Sequence, residues 1–188
     1  MTEDLTDRLL TCALVTPRLR LRPVQAGDAG AIATLINDRD LARMLARVPW
    51  PYRFEDAEAF IADHGEEIVF AICLKASGDL TGICSLKPTT DRRRAEIGYW
   101  VGRPFWGNGY ATEAAQAVID YGFTALDLQA IDASCRVINE ASRKVIWKCG
   151  FRFCGNGMTD TVVSGRVASE QFTMDRSCWT SLKAWGGK

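Results

Sequence analysis

The chain is short of several things that would direct its reading elsewhere. Its 188 residues hold one histidine, His64, and no Cys-x-x-Cys pair. Structural zinc takes four ligands from closely spaced cysteines and histidines, so no metal site is expected. The seven cysteines, at 12, 73, 84, 135, 149, 154 and 178, are odd in number and lie mostly in apolar runs. They read as small buried hydrophobes in a reducing compartment, not as a disulfide framework. Net charge is absent too, because 23 basic residues balance 23 acidic ones. That balance offers no argument for a nucleic acid or an anionic membrane as partner. No stretch approaches the ~20 apolar residues that cross a bilayer. The opening Met-Thr-Glu-Asp-Leu-Thr-Asp carries acids where a secretory signal carries bases, so the expected location is cytoplasmic. His64, beside Gly65, Glu66 and Glu67, reads as a surface loop residue and not as a catalytic base.

What is present is an ordinary globular balance, 47% hydrophobic and 24% charged, over a length that suits one domain covering residues 1–188. Residues 18–22 alternate strictly and predict a half-buried strand ended by Pro23. Asp28 is placed to cap a helix to about Asn37, and a second helix is expected over 39–47. An aromatic, proline-stiffened loop follows at 48–52. A helix over 55–63 would turn Ala59 and Phe60 inward. Residues 69–74 and 81–86 read as a hairpin about Ser77-Gly78-Asp79. Asp91-Arg-Arg-Arg94 reads as a solvated turn, with a clamp of Arg92, Arg93 and Arg94 on an acidic substrate as the alternative, and Ala95, Ile97, Tyr99 and Val101 mark a strand. Ala111, Ala114, Ala115, Val118, Ile119 and Gly122 fall at helical spacing, and 131–137 alternates as a strand. Residues 142–148 suggest a short helix with Gly150 as its C-cap and Phe151 opening the next strand. The remainder reads as a hairpin interrupted by Gly155, Asn156 and Gly157. The sum is an α+β fold with a mostly antiparallel sheet and helices on both faces.

The most informative segment is 95–123: a strand, a turn holding Gly107 and Gly109, then a helix. Free N–H groups and the positive end of the helix dipole at such a junction hold phosphate. A Walker loop is excluded because no lysine follows the glycines. A dinucleotide fingerprint lacks its third small residue, since position 112 is threonine. A tight structural turn remains the simple alternative.

The run Trp106-Gly107-Asn108-Gly109-Tyr110-Ala111 after this strand resembles motif A of the GNAT superfamily of acyl-CoA N-acyltransferases, with Trp106 where the family usually has Gln or Arg. Preceded by Glu96-Ile-Gly-Tyr-Trp100, it is similar to the branch of Rim-type ribosomal-protein N-terminal acetyltransferases. Thr16-Pro-Arg-Leu-Arg-Leu-Arg-Pro23 with Asp28, Trp50-Pro51-Tyr52 with Asp56-Ala57, and Asn139-Glu-Ala-Ser142 with Lys148-Cys-Gly-Phe151 extend the resemblance over nearly the whole chain.

The resemblance implies a GNAT fold whose strands splay around acetyl-CoA (coenzyme A). Backbone groups of Tyr99 and Val101 would bond the pantetheine arm, and an N–H near Tyr99 would polarise the thioester carbonyl. N–H groups of Gly107, Asn108, Gly109, Tyr110, Ala111 and Thr112 would hold the pyrophosphate. Asn139 would bind the pantetheine or nearby backbone. An amine, either a peptide N-terminus or a small molecule, would attack the thioester directly. Glu96 is the candidate base, through water, with a solvent-facing strand residue as its simple alternative. The family's tyrosine acid falls at Ile146 and is absent, which leaves Ser142 as proton donor or as a packing residue at a helix start. A non-catalytic acyl-CoA-binding regulatory module and a nucleotide-binding protein stand as alternatives. Trp50 and Tyr52 would line the acceptor pocket or staple their loop to the core. Trp179 and Trp185 would pack on the core or form a contact between copies, so monomer and homodimer are both open.

Overall fold

Successive side chains of a strand point to opposite faces, and this chain uses both faces of one sheet. The computed structural model describes residues 13–186, so Cys12 and the opening acids lie outside the described residues. In chain order the elements are β1 (Leu14–Val15), β2 (Leu19–Pro23), a 3-10 turn (Ala26–Asp28), α1 (Ala29–Ile36), α2 (Arg39–Met44), α3 (Phe54–Ala62), β3 (Ile68–Leu74), β4 (Leu80–Pro88) and β5 (Arg94–Val101). A second 3-10 turn (Arg103–Phe105) leads to α4 (Tyr110–Thr124), β6 (Ala130–Arg136), α5 (Glu140–Cys149), β7 (Arg152–Thr161), β8 (Gly165–Asp175) and α6 (Arg176–Gly186). The eight described strands form one sheet in the order β1-β2-β3-β4-β5-β6-β8-β7. Every pairing is antiparallel except β5 with β6, which α4 joins by a crossover.

On one face Leu19, Leu21, Phe70, Ile72, Cys84, Leu86, Ala95 and Ile97 meet Ala114, Ala115, Val118 and Ile119 of α4 and Ile146 of α5. On the other, Val69, Ala71, Cys73 and Ile83 meet Ala29, Ile32 and Ile36 of α1, Leu41 of α2 and Ala57 of α3. Burying such side chains stabilises each face by roughly 1.5–3 kcal/mol per large residue. The two layers are the expected helices on both faces.

Local expectations changed in four places. Asp28 stands at the α1 N-cap position without capping α1. Its carboxylate instead accepts Gln25 N–H and takes both terminal nitrogens of Arg22, at 2.7 and 2.8 Å. On α3 it is Ala57, not Ala59, that is buried, because the face turned to α1 and the sheet is the one carrying Ala57, Phe60 and Ile61. The expected helix over 39–47 stops at Met44, with Asp38 as its cap. The last hairpin turns at 162–164, and Gly155 and Gly157 lie inside β7 beside a bulge. Gly150 does cap α5, in the left-handed region at φ 92°. Strand β1 and helix α6 were not anticipated.

Candidate active site

The site is built on the two edges of β5. Toward β4 its register runs without a break from Ala95 opposite Pro88 to Val101 opposite Gly82. Toward β6 it runs from Arg94 opposite Ala130 to Ile97 opposite Ala133 and stops, while β6 continues to Arg136 alongside β8. Beyond Ile97 the two strands part and leave a fork. Gly102 N–H donates to Thr81 O, so in an alternating ladder Tyr99 and Val101 turn their backbone groups away from β4 and into that fork. The Val101 carbonyl accepts the indole N–H of Trp106 at 2.5 Å. Trp106, the departure from the family motif, therefore ties the loop to the end of the strand.

The loop then delivers the start of α4. Gly107 and Gly109 have φ of 77° and 79°, a region that L side chains enter at a cost. An added Cβ at Gly107 would meet nothing within 4 Å, and at Gly109 only the Arg18 guanidinium at 3.5 Å. These glycines serve the left-handed turn and leave the surface of the loop bare. The first helical bond is Glu113 N–H to Gly109 O, so the N–H groups of Tyr110, Ala111 and Thr112 have no helical acceptor. Asn108 turns its side-chain amide to the Phe105 and Trp106 carbonyls and so braces the loop.

Arg18 is a site residue that sequence reading passed over as part of a strand. Its guanidinium bonds Glu113 at 2.7 Å and the Asn108 carbonyl at 2.9 Å, and lies 4.9 Å over the Tyr110 ring. Burial alone would raise the Glu113 carboxyl. Hydrogen bonds from Thr16 and from the Arg18 N–H and guanidinium outweigh that and hold it below the usual range.

At the fork the structure brings Tyr99 and Ser142 together. The Tyr99 hydroxyl lies 2.9 Å from Ser142 Oγ and also donates to the Ser142 carbonyl at 3.2 Å. Burial pushes the phenol well above its ordinary value, partly offset by the Ser142 hydrogen bond. Asn139 Oδ1 accepts Ser142 N–H at 3.1 Å, so Asn139 caps α5 and fixes Ser142. Ile146, at the position of the family's tyrosine, is fully buried. A tyrosine hydroxyl reaches this place from β5 instead, a partnership across 43 positions that no local motif signals.

The other face of the fork carries carboxylates. Glu96 is exposed and accepts from Ser134 Oγ at 2.8 Å. Its register neighbour Asp132 pairs with Arg94 at 2.5 Å. Buried Glu67, also missed in the sequence, accepts from Ser85 Oγ at 2.7 Å and pairs with Arg47 at 2.9 Å. His64 is half-buried, not on the surface, and its Nδ1 has no hydrogen-bond partner among the described residues. Tyr52 is buried and staples its loop, its N–H on Asn37, whereas Trp50 is exposed beneath Arg39. Arg92 pairs with Glu66, so the basic turn is solvated and partnered. Trp179 stacks on Phe123 and bonds Asp120, and Trp185 stands in solvent.

One cavity of about 1940 Å³ joins these groups, from Glu67 and Ser85 past Gly98 and Tyr99 to Gly109 and Ser142. Among the described residues no cluster could hold a metal ion, and no helix is long and apolar enough to cross a membrane.

Comparison with known proteins identifies the family and the fold. A family model described as acetyltransferase (GNAT) domain matches residues 18–152. Protein p20 of Bacillus licheniformis, an uncharacterised N-acetyltransferase, is 33% identical over 145 residues, 74% of this chain and 82% of its own. YdaF of Bacillus subtilis (strain 168), provisionally named a ribosomal N-acetyltransferase, is 30% identical over 165 residues, 84% of this chain and 90% of its own. The solved structure of RimL, a ribosomal L7/L12 alpha-N-protein acetyltransferase in complex with coenzyme A, superposes with a TM-score of 0.76 at 20% identity. That match covers 87% of this chain and 98% of RimL.

Proposed function

The chain belongs to the GNAT acetyltransferase family, and from that premise we propose that it moves the acetyl group of acetyl-CoA to the α-amino group of a peptide or protein N-terminus. The observation that carries this reading is the fork, an unpaired strand edge that faces the bare N-terminus of α4. Acetyl-CoA is the family's acyl donor, and the residues present suit it. Unpartnered N–H groups and a cradle clear of side chains match a pyrophosphate, and an open strand edge matches an extended pantetheine arm.

Bound there, acetyl-CoA supplies an activated thioester carbonyl. The backbone from Gly107 through Asn108, Gly109, Tyr110 and Ala111 to Thr112 binds the pyrophosphate, with Arg18 alongside. Tyr99 and the Val101 N–H hold the arm, the Val101 carbonyl being taken by Trp106, and the Tyr99 N–H polarises the carbonyl of the thioester. Glu96 takes the amine's proton through water. Ser142, oriented by Asn139 and backed by the Tyr99 hydroxyl, returns a proton to the departing thiolate. Burial moves the Tyr99 phenol further from ionisation, so it stands beside Ser142 as a neutral hydrogen-bond partner. Much of the acceleration comes from holding amine and carbonyl in register.

One observation favours a peptide acceptor. YdaF and RimL carry names that refer to ribosomal proteins.

A thermal melt with acetyl-CoA, with ATP and NAD as controls, tests the donor. Ligand at 100 times Kd adds roughly 2.7 kcal/mol, about 5–10 °C for a chain of this size. Release of free CoA with a serine-terminated peptide, its N-acetylated form and spermidine tests the acceptor. Turnover of the free peptide alone is the expected result. Preference for spermidine moves the acceptor to small amines, and binding without any CoA release makes the protein a regulatory module.

A further inference from the structure

We propose that Ser85 receives an N–H of the acceptor amine and that Glu67 holds Ser85 in the orientation for doing so. The proposal rests on the fork being the place of acyl transfer. It starts from a glycine. Gly98 is the first residue of β5 beyond the last pair with β6, and it lies opposite Ser85 in the β4 register. Its backbone is outside the left-handed region, so chain geometry does not ask for glycine there. A Cβ at Gly98 would stand 3.3 Å from Ser85 Oγ. The missing side chain leaves that buried hydroxyl clear on the side of the cavity that both residues line.

The hydroxyl is also held one way round. Ser85 has a single O–H, and it points at Glu67 Oε1 over 2.7 Å. With its hydrogen committed, the serine oxygen offers lone pairs alone, which is what an amine N–H requires. A carboxylate partner strengthens the serine oxygen as an acceptor. Glu67 is in turn fixed by the Arg47 guanidinium, whose Nη2 lies 3.1 and 2.9 Å from its two oxygens. Its own N–H is bonded to the His64 carbonyl. A buried carboxylate is expensive unless it is paired, and a wall that merely packed would be served by an aliphatic residue.

The faces agree. Alternation puts Ser85, Glu96 and Gly98 on the face shared with Ile83 and Trp100. Tyr99 lies on the opposite face with Ile97, where α5 brings Ser142. An amine held by Ser85 therefore approaches from the side away from the group that protonates the leaving thiolate. It also arrives beside Glu96, which takes its proton. Ser85 touches the substrate, whereas Glu67 and Arg47 act through it as positioning residues.

The test is steady-state turnover of acetyl-CoA with the serine-terminated peptide and with spermidine in Ser85→Ala, Glu67→Gln and the double variant. Each single variant should lower kcat/KM for the amine about tenfold, the worth of one hydrogen bond. Acetyl-CoA affinity should stay within twofold, and the double variant should fall no further than either single one, because one bond is lost in all three. Ser85→Thr, which keeps the hydroxyl, should recover most of the loss. Gly98→Ala, which covers the hydroxyl without touching Glu67, should raise KM for the amine. Additive losses, or acetyl-CoA affinity falling in parallel, would reduce the pair to a structural role and overturn the proposal. So would an unchanged Ser85→Ala, and that result survives any failure of Glu67→Gln to fold. Failure of the underlying reading looks different: acetyl-CoA affinity is then intact in Gly109→Val, or neither amine is turned over, and both ideas fall together.

Discussion

One strand, β5, has two edges with opposite fates. Its β4 edge is paired from Ala95 to Val101, and its β6 edge only as far as Ile97. The paired edge is crowded: a Cβ on Gly82 would lie 2.1 Å from the Trp100 carbonyl. The open edge is bare, and its neighbours are a glycine loop, a helix start and hydroxyls in mutual contact. Backbone groups that one edge spends on the fold are left on the other for a ligand. Glycine marks both edges, for opposite reasons: absence of room at Gly82 on the paired edge, and a left-handed turn clear of side chains at Gly107 and Gly109 beside the open one.

The contrast can be broken most severely at the open edge. Gly109→Val forces a β-branched residue to φ 79° and fills the cradle, so acetyl-CoA affinity should fall more than about 100-fold by calorimetry, while the urea midpoint changes modestly. Gly82→Ala should do the reverse. It drives a methyl into backbone and should destabilise by about 2–3 kcal/mol in urea unfolding, with intrinsic acetyl-CoA affinity little altered in the folded fraction. Next in size, Tyr99→Phe and Ser142→Ala should each lower kcat roughly tenfold with KM for acetyl-CoA nearly unchanged. The two together should not multiply, because the hydroxyls act as a pair. Glu96→Gln should likewise depress kcat more than KM. A flat pH–rate profile unaltered by that change removes Glu96 from the reaction.

The smallest effect concerns the end of the paired edge. Arg103, just after β5, bonds Asp38 at 2.5 Å and holds its carboxyl down to about 2. The folded-state value lies below the ordinary one of about 3.9, so this stabilisation is complete above that pH and is lost as pH falls from about 4 toward 2. Asp38→Asn keeps a capping side chain but should flatten the pH dependence of the urea midpoint across that window.

Where structure followed from local chemistry, it was legible. Helix α4 shows in the spacing of its alanines, and the end of α5 in the Gly150 C-cap, whereas its start at Asn139, three residues before the expected one, rests on a side-chain cap. The left-handed turn at Gly107 and Gly109 falls where strand, turn and helix signals predict a turn. What escaped depends on pairing between distant segments. Nothing between 94 and 101 says where β6 stops accompanying β5. Tyr99 was read for its backbone, because its hydroxyl partner lies 43 positions away. Glu67 and Ser85 meet diagonally across a hairpin whose register is not written in either strand. Helix α6 hid because little of it faces the core, Trp179 being the main contact. The glycines of β7 pointed to a turn because a bulge and a close approach, such as Gly157 against the Gln171 side chain, use the same residue.

The parting of β5 from β6 also has a mechanical meaning. The sheet is continuous from β1 to β7 only through a seam four residue pairs long, the one parallel contact in it. On one side lie five strands, on the other three. A shear load along the strands would concentrate on that seam, while the neighbouring β4–β5 contact shares the same load over seven pairs. A cofactor arm lying in the gap would lengthen the seam like a splice. Under tension the ligand-bound protein should yield at a higher force than the free one, and the first rupture should separate these two blocks.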